Sequence, residues 1–422
     1  MPIRLSDYLK KEYGEKVYRL SLSSGCICPN RDGSIYYDIK SDEYHISNSY
    51  IEESGHSINM SDSNIRKTNI EDSNTKESNV VDFDTFKSNI AVSDIGESND
   101  CIVRLTGGCT FCSEGGSGEF AAENRQADNN TPDIDAQIEF AKKVIQKKTD
   151  AKKFIAYFQS FTNTYGNVRR LSELYHRAIA RDEIVALSIG TRPDCIGDDI
   201  LDMLKELNTI KPVWIELGLQ TIHEDTAKRI NRGYKLKTFE DTYFRLKKAG
   251  ITVIVHVILG LPGESREDML ETVKYLSNLN PPLDGIKLQN LQILKGTKMY
   301  EELKVAIDDP EKVTQNDPAK KIQDYFKVKS CIDNNKMKRT DEHDNLISDF
   351  ESSANINDYH SMTMEEYTDL VAECIALLPK ECVVHRMTGD GPRKLLVDPL
   401  WSLDKKRVLN MLSRKTGKYF ED

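Results

Sequence analysis

Short runs of apolar, β-branched residues alternate along this chain with segments whose apolar residues recur at helical spacing. The runs predict strands over 18–23, 154–159, 185–190, 213–219, 252–259 and 284–294. The amphipathic segments between them predict helices over 133–148, 168–180, 198–208, 238–249 and 265–279. A strand followed by a helix, repeated in this way, favours parallel βαβ units.

Six predicted strands are compatible with two α/β architectures, an open doubly wound sheet and a partial (β/α)6 TIM-like barrel. In both, ligands bind at the carboxyl ends of the parallel strands. Polar side chains and glycines stand at those ends: Gln159, Ser160 and Thr162; Thr191, Arg192 and Asp194; Glu216, Gln220 and Thr221; His256, Gly260, Gly263 and Glu264; Lys287, Gln289, Gln292 and Lys295. The pattern predicts a polar cavity over the carboxyl ends of the sheet.

Two polar segments interrupt this alternation. The first, 34–101, is rich in Ser, Asn and Asp and repeats every five residues, as in Ser63-Asn64-Ile65 and Ser88-Asn89-Ile90. The repeat resembles the pentapeptide pattern of a small square β-helix. The alternative is a mobile low-complexity insertion, which its small apolar content favours because little buried area would offset the entropy of ordering. The second segment, 307–358, is charged and Asn-rich and is predicted to be a surface insertion.

The composition is that of a water-soluble protein, with 422 residues, a formal charge of −10 and a mean hydropathy of −0.54. No apolar run approaches the length of a membrane span, and the N-terminal segment is too charged for a signal peptide. We therefore expect a cytoplasmic protein with no membrane partner. Residues 34–101 carry a net charge of −9 and residues 308–358 carry −4, which leaves about +3 elsewhere. That balance permits a nucleic-acid substrate without indicating one.

The nine cysteines suggest metal binding or catalysis more than disulfides, since a cytosolic setting is expected. Cys109 and Cys112 stand in "GGCTFC", and Cys28 opens "CPNRDG" after the first predicted strand. If the insertion between these motifs loops out, "CPNRDG" runs almost directly into "GGCTFC". The sequence then predicts three thiolates on one loop.

The number of thiolates bears on the kind of metal site. A structural zinc ion takes four ligands, whereas a [4Fe–4S] cluster held by three thiolates leaves one iron open to a cofactor or substrate. Cys26 could complete a zinc site, but it is separated by one residue from Cys28, which is a poor spacing for chelating one ion. Cys101 is another candidate, although it belongs to the repeat tract.

With these motifs the chain resembles the radical S-adenosylmethionine (SAM) enzymes, and more narrowly the branch that contains the catalytic subunit of elongator. It is most similar to a bacterial subgroup of short proteins that keep the radical domain and lack an acetyltransferase domain. The matching text also includes "AYFQSFTNT", "IGTRPDC", "WIELGLQT", "INRGY", "HVILGLPGE", "DGIKLQNLQILKGT" and "VHRMTGDGPRKLLVDPLW". Together these motifs favour the partial (β/α)6 barrel over the doubly wound sheet.

The resemblance implies a division of the chain. Residues 1–33 and 102–306 would form the radical SAM core, split by the insertion 34–101. The charged insertion 307–358 would follow, and 359–422 would be a C-terminal α/β extension packed on the core. The long insertion between the first and second cysteines departs from the family, in which that gap is short. The entropy of closing a loop grows only slowly with its length, so the cysteines can still meet.

The resemblance also implies the chemistry. Cys28, Cys109 and Cys112 would hold a [4Fe–4S] cluster whose open iron binds SAM. Reductive cleavage of SAM would give a 5′-deoxyadenosyl radical, which removes a hydrogen atom from the substrate. The electron would come from a donor such as flavodoxin or ferredoxin. The substrate is unknown, and kinship with elongator raises the expectation of an RNA base.

Seven further residues match positions at which the family contacts SAM. The implied roles are a wall beside the cluster and adenine for Phe111, the SAM amino end for Gln159 and Ser160, the SAM carboxylate for Arg192, the ribose for Gln220, and close backbone approach to adenine for Gly260 and Gly263. His256, in an apolar strand, is interpreted as a core residue. His385-Arg386 and Asp390-Gly391-Pro392-Arg393 either bind substrate or brace the end of the barrel.

Two alternatives from other functional classes stay open on the sequence. One is a zinc-stabilised module that binds a nucleotide or RNA without radical chemistry. The other is an RNA-binding or scaffold protein whose repeat insertion is the working part. Iron content, SAM cleavage and deletion of the insertion distinguish these possibilities from a radical SAM enzyme.

Overall fold

The structure is a computed structural model that describes residues 1–38, 41–46, 102–116, 133–308, 355–356 and 359–420. The five-residue repeat, Cys101 and most of the predicted charged insertion lie outside these residues.

Fifteen strands occur in the described residues, and most of the longer ones belong to one sheet. They are β1 (Ile3–Arg4), β2 (Val17–Leu22), β3 (Ile35–Asp38), β4 (Glu43–Ile46), β5 (Ile102–Leu105), β6 (Lys153–Phe158), β7 (Ile184–Thr191), β8 (Val213–Gln220), β9 (Thr252–Leu259), β10 (Gly285–Asn290), β11 (Ile293–Leu294), β12 (Asn355–Ile356), β13 (Tyr359–His360), β14 (Val383–Arg386) and β15 (Leu396–Asp398).

The α-helices of the same residues alternate with these strands through the middle of the chain. They are α1 (Leu5–Tyr13), α2 (Pro29–Asp32), α3 (Ile134–Gln146), α4 (Val168–Ile179), α5 (Asp198–Ile210), α6 (Glu224–Arg229), α7 (Leu236–Lys248), α8 (Arg266–Ser277), α9 (Lys298–Asp308), α10 (Met364–Leu377) and α11 (Lys405–Thr416). The five predicted helices correspond to α3, α4, α5, α7 and α8, so those predictions are confirmed.

The main sheet is parallel throughout and has the order β1-β14-β10-β9-β8-β7-β6-β2. The six predicted strands are β2 and β6 to β10, and they follow one another in chain order. A doubly wound sheet would reverse its strand order at a switch point, and this one does not. The prediction of a partial barrel is therefore confirmed. Two strands that the sequence did not predict, β14 and β1, extend the sheet beyond β10.

The outer face of the sheet packs against the helices. Alternate side chains such as Ile189, Leu217 and Val255 are fully buried there, as expected for parallel strands covered by helices. The start of α8 is fixed by a capping box, in which Ser265 and Asp268 each accept a hydrogen bond from the other's backbone N–H.

The inside of the barrel is apolar at the amino ends of the strands. Ile155, Ala186, Trp214 and Ile254, from four adjacent strands, pack together with Leu9 of α1. Helix α1 therefore closes this end of the barrel.

Further along the same strands the inward-facing side chains become polar. The next inward positions on β6, β7, β8 and β9 are Tyr157, Ser188, Glu216 and His256. The positions after these carry Gln159, Gly190, Gly218 and Ile258, which line an open cavity. The barrel thus has a closed apolar end, a charged middle layer and an open carboxyl end, where the sequence predicted a site.

A small antiparallel sheet brings together the two ends of the long insertion. Strand β3 pairs with both β4 and β5, and its register places Ile35 opposite Leu105 and Asp38 opposite Ile102. The chain therefore leaves the core after α2 and returns through β5 beside its point of departure. This pairing fulfils the geometric condition for Cys28 to meet the later cysteines.

The C-terminal segment packs on the barrel through α10, which contacts α8, and through α11, which contacts α10. Strand β15 pairs antiparallel with β11 at the carboxyl end of the barrel. None of the helices in the described part of the chain has the length and apolar character needed to span a bilayer.

Candidate functional site

Three cysteines separated along the sequence line the same wall of the cavity. Cys28 immediately precedes α2, while Cys109 and Cys112 follow β5. The turn between β5 and Cys109 needs two glycines, because Gly107 and Gly108 have φ values of +79° and +78°, which side chains disfavour. Eighty residues separate Cys28 from Cys109, and the fold brings them together as the sequence predicted.

The "INRGY" segment holds the cysteine loop in place. The Asn231 side-chain amide donates to the carbonyl oxygens of Thr106, at 3.2 Å, and Gly108, at 2.7 Å. The Asn30 amide donates to the Asn231 carbonyl at 2.9 Å, and the Thr110 N–H donates to a neighbouring carbonyl of the same segment. Asn231 has a φ of +53°, a conformation that Asn tolerates better than most residues. This motif is therefore a brace for the loop.

Positive charge surrounds the loop. The Arg31 guanidinium donates to the carbonyl oxygens of Cys112, Ser113 and Glu114 at 3.4, 2.8 and 3.1 Å. The buried Arg192 lines the same cavity. Cationic side chains favour thiolates over thiols, so these two guanidiniums suit the site to anionic sulfur ligands.

The three thiols interact with one another and with neutral polar groups. Hydrogen bonding with Cys112 lowers the pKa of Cys109 to about 6, and the same interaction and burial raise the pKa of Cys112. Burial raises the pKa of Cys28 to about 11, although the Thr162 hydroxyl, 3.0 Å from its sulfur, opposes this shift. The Asn30 amide lies 3.5 Å from the Cys109 sulfur.

The donor set fits an iron–sulfur cluster. Cys28, Cys109 and Cys112 supply the three thiolates, and the adjoining cavity leaves room for a further ligand. Cys26 is buried and turned to Arg170, whose Nη2 lies 3.3 Å from its sulfur, and it does not line the cavity.

The structure brings four of the seven predicted SAM-contacting residues to the cavity and leaves three elsewhere. Phe111, Gln159, Arg192 and Gln220 line it. Ser160 is buried beside it, and Gly260 and Gly263 form the turn after β9 without lining it. At Gly260 the φ of +90° favours glycine, and an added Cβ would also lie 2.8 Å from the Met362 methyl group.

Most hydrogen-bonding groups of Arg192 are already engaged. Its guanidinium forms a two-point ion pair with Asp194, at 2.9 and 2.6 Å, and donates to the carbonyl oxygens of Arg232 and Gly233 at 2.7 and 3.4 Å. One N–H is left for a ligand. The predicted two-point pairing with the SAM carboxylate would therefore require Arg192 to release Asp194.

A charged layer forms the floor of the cavity. The Glu216 carboxylate accepts hydrogen bonds from Ser188, at 2.9 Å, from His256, at 2.9 Å, and from Lys287. Burial alone would raise the pKa of Glu216, but the neighbouring Lys287, His256 and Arg19 outweigh burial and hold that pKa well below its usual value. Burial lowers the pKa of Lys287, and Glu216 opposes that shift.

Several residues of this layer were not among the residues predicted to bind the cluster or SAM. His256 is bonded within the protein, as expected of a core residue, yet it lines the cavity. Arg386 also lines it, whereas the neighbouring His385 accepts a hydrogen bond from Arg19 at 2.8 Å and braces the barrel. The signal for Glu216 and Lys287 was present, because each is a charge inside an apolar run that was predicted to be a buried strand.

The chain matches known protein families over two stretches. The sequence model of the Radical SAM superfamily matches residues 102–276, and the model of the Radical_SAM C-terminal domain matches residues 348–417. The uncharacterized protein YtqA of Bacillus subtilis is 30% identical over 99% of this chain and 92% of its own length. The Radical SAM superfamily match begins after Cys28, so that match does not include the first of the three cysteines.

Similarity to elongator proteins is more limited in extent. Elongator complex protein 3 of Saccharomyces cerevisiae is 34% identical over 28% of this chain, which corresponds to 21% of the yeast protein. The solved structure of the archaeal Methanocaldococcus infernus Elp3 with an N-terminal deletion is 18% identical, covers 67% of this chain and 58% of its own, and has a TM-score of 0.47.

Proposed function

The chain belongs to the radical SAM superfamily, whose enzymes use a [4Fe–4S] cluster and SAM, and on that premise we propose that Cys28, Cys109 and Cys112 hold the cluster. The observation that carries this assignment is the convergence of all three sulfurs on one cavity wall, although Cys28 precedes the long insertion. When bound, the cluster supplies the electron that cleaves SAM and yields a 5′-deoxyadenosyl radical, which removes a hydrogen atom from the substrate.

The residues around the cysteines orient the ligands and exclude water. Arg31 and Asn231 fix the backbone of the cysteine loop, and the Arg192 charge favours its thiolate form. Gln159 and Gln220 line the cavity from β6 and β8, where their amides can bond the polar ends of SAM. The surrounding barrel keeps the reacting atoms from bulk solvent, which protects a radical from side reactions.

The assignment is tested by replacing each cysteine with alanine under anaerobic conditions. Wild-type protein is expected to contain about four iron and four sulfide per chain and to produce 5′-deoxyadenosine from SAM with dithionite. Cys28→Ala, Cys109→Ala and Cys112→Ala are each expected to lose the cluster and this activity. Cys26→Ala, two residues from Cys28, is the matched control and should retain both.

A colourless protein that binds zinc would contradict the radical assignment and favour the nucleotide-binding alternative. A Cys28→Ala variant that retains its cluster would contradict the ligand set alone.

We further propose that the substrate is an RNA base, and that a flavodoxin or ferredoxin supplies the electron. Support for RNA comes from α11, whose exposed residues Lys406, Arg407 and Arg414 lie on one helical face. The first residue of that helix, Lys405, contacts Asp390, which pairs with the cavity residue Arg386. A basic face near the cavity fits a phosphate backbone.

Charge reversal on this face tests the RNA proposal. The triple variant of Lys406, Arg407 and Arg414 to Glu is expected to lose salt-sensitive RNA binding while retaining dithionite-driven SAM cleavage. Equal RNA binding by this variant and wild type would contradict the proposal without affecting the cluster assignment.

A further inference from the structure

The charged floor of the cavity has no role in holding the cluster or SAM as described above. It consists of Arg19, Tyr157, Glu216, His256, Lys287 and Arg386, from five of the core strands and β14. Lys287 and Glu216 are almost completely inaccessible to solvent and form a direct ion pair. All except Arg19 line the cavity that the cysteines line.

The stability of the barrel does not explain these charges. Burying an ion pair costs desolvation energy that its attraction often fails to recover, and apolar residues of similar volume usually do as well. The layer directly below shows that this barrel can be filled in that way, since Ile155, Trp214 and Ile254 pack there against α1. A charged layer at the bottom of a cavity therefore points to a ligand.

The layer above the floor leaves a path to it. On β7 and β8 the inward positions following Ser188 and Glu216 are Gly190 and Gly218, and both line the cavity. An added Cβ would lie 3.2 Å from the Phe158 carbonyl oxygen at Gly190 and 3.1 Å from the Gln220 amide nitrogen at Gly218, so larger residues at these two positions would crowd the cavity between the cysteine wall and the floor. A molecule that contacts the floor would place its body in the space beside the cysteines.

At the floor, the group that can still form a hydrogen bond to a ligand is a donor, the Lys287 ammonium. Both oxygens of Glu216 are occupied, by Ser188 on one side and by His256 and Lys287 on the other. The Lys287 ammonium has three N–H groups, of which two bond Tyr157, at 2.8 Å, and Glu216. Its third N–H has no partner among the described residues.

The charge left at the floor is positive. Arg19, Lys287 and Arg386 are cations, and they face the two carboxylates of Glu216 and Asp390. Asp390 is 3.2 Å from Arg386 and is shared with Lys405. Among the residues that the structure describes, these cations outnumber the carboxylates, and the counter-ion of Arg386 is shared with Lys405.

From this arrangement we propose that the floor binds an anionic group of the substrate through Lys287 and Arg386: a phosphate if the substrate is RNA, or a carboxylate, which would mean a substrate other than RNA. The anchored substrate then lies over Gly190 and Gly218 and presents a C–H bond toward the cysteine wall. The presentation of a C–H bond to the cysteine wall rests on the proposed function, whereas anion binding at the floor depends only on the side chains of the barrel.

Calorimetric titration of the anaerobic, cluster-loaded enzyme tests the site without turnover. SAM is present and dithionite is omitted, so that the carboxylate of SAM is already bound and no radical forms. The probes are sodium acetate and inorganic phosphate, with acetamide as the neutral analogue of acetate and sodium chloride to match the ionic strength. Acetate or phosphate is expected to bind at least tenfold more tightly than acetamide. Whichever of the two binds more tightly shows whether the site takes a carboxylate or a phosphate.

Two partly exposed residues provide variants with opposite expected signs. Arg386→Gln is expected to weaken binding of the tighter anion at least tenfold. Asp390→Asn releases Arg386 from its counter-ion and is expected to strengthen it. A merely structural role for this pair would make both variants weaken binding. Lys287→Gln is expected to abolish binding, with thermal unfolding used to verify that the variant is folded.

Equal binding of acetate and acetamide to the wild type would overturn the inference, as would weaker anion binding in Asp390→Asn. These failures differ from failure of the proposed function, which would appear as missing iron or missing 5′-deoxyadenosine in the wild-type enzyme.

Discussion

Replacing Asn231 by alanine should loosen the cysteine loop without unfolding the barrel. The change removes two buried hydrogen bonds, to the carbonyls of Thr106 and Gly108, and places alanine at a φ of +53°. Two such bonds are worth about 1–3 kcal/mol together, and the left-handed backbone costs alanine about 1 kcal/mol more than asparagine. The total of about 2–4 kcal/mol corresponds to a roughly 30- to 1000-fold shift toward the opened loop.

The assay is the rate at which anaerobically loaded protein loses iron to a chelator. Asn231→Ala should lose its cluster much faster than wild type, with a smaller effect on the thermal unfolding of the barrel. Asn231→Gly is the matched control, because it also lacks the amide but accepts a positive φ; its loss should be slower than that of Asn231→Ala by a factor of about five to ten. Cluster retention in Asn231→Ala equal to that of wild type would refute the bracing role.

Three other predictions concern the barrel. Leu9→Ala removes a buried side chain from the closure by α1 and should lower the free energy of unfolding by about 2–5 kcal/mol, measured by denaturant titration; a change under 1 kcal/mol would contradict that role. Glu216 has a folded pKa well below its unfolded one, so its stabilising contribution is full above the ordinary carboxyl pKa and declines as pH falls below it. The melting-temperature difference between wild type and Glu216→Gln should therefore shrink as the pH is lowered. A difference that grows would refute the lowered pKa of Glu216. Gly260→Ala should lower the free energy of unfolding more than Gly296→Ala does, by about 1–3 kcal/mol. Both glycines have a φ of +80° or more, but only the methyl group added at position 260 would meet Met362. Gly260→Ala should affect SAM binding less than stability, and a larger effect on SAM binding would favour the predicted approach of this backbone to adenine.

Local patterns were sufficient to predict the repeated units of the barrel. The strands β2 and β6 to β10 and the helices between them fall within a few residues of their predicted bounds, because alternation of apolar residues is read from neighbours in sequence. The small sheet of β3, β4 and β5 was not predictable in the same way. Strands β3 and β5 have four residues each, and their pairing joins positions more than 60 residues apart.

The candidate site divides along the same line. Cys28, Cys109 and Cys112 could be predicted to lie together because their motifs have a recognisable spacing once the insertion is set aside. Arg386 could not be placed, since its entry into the cavity depends on β14 pairing beside β10, a contact about 100 residues apart in sequence. For Gly260 the sequence could not separate two explanations of a glycine, ligand approach and packing against Met362, because the second depends on a residue about 100 positions away.

Helix α1 packs against Trp214 and Ile254 at the amino end of the barrel, which also bears on how ligands enter and leave the cavity. Within the part of the chain that the structure describes, α1 covers the amino end of the barrel, and the cavity lies at the carboxyl end beside the cysteines. Methionine, 5′-deoxyadenosine and the product then leave through the same opening by which the next molecule of SAM enters. The turnover rate of such an enzyme depends on the rate of product release from the cavity as well as on the rate of the chemical steps.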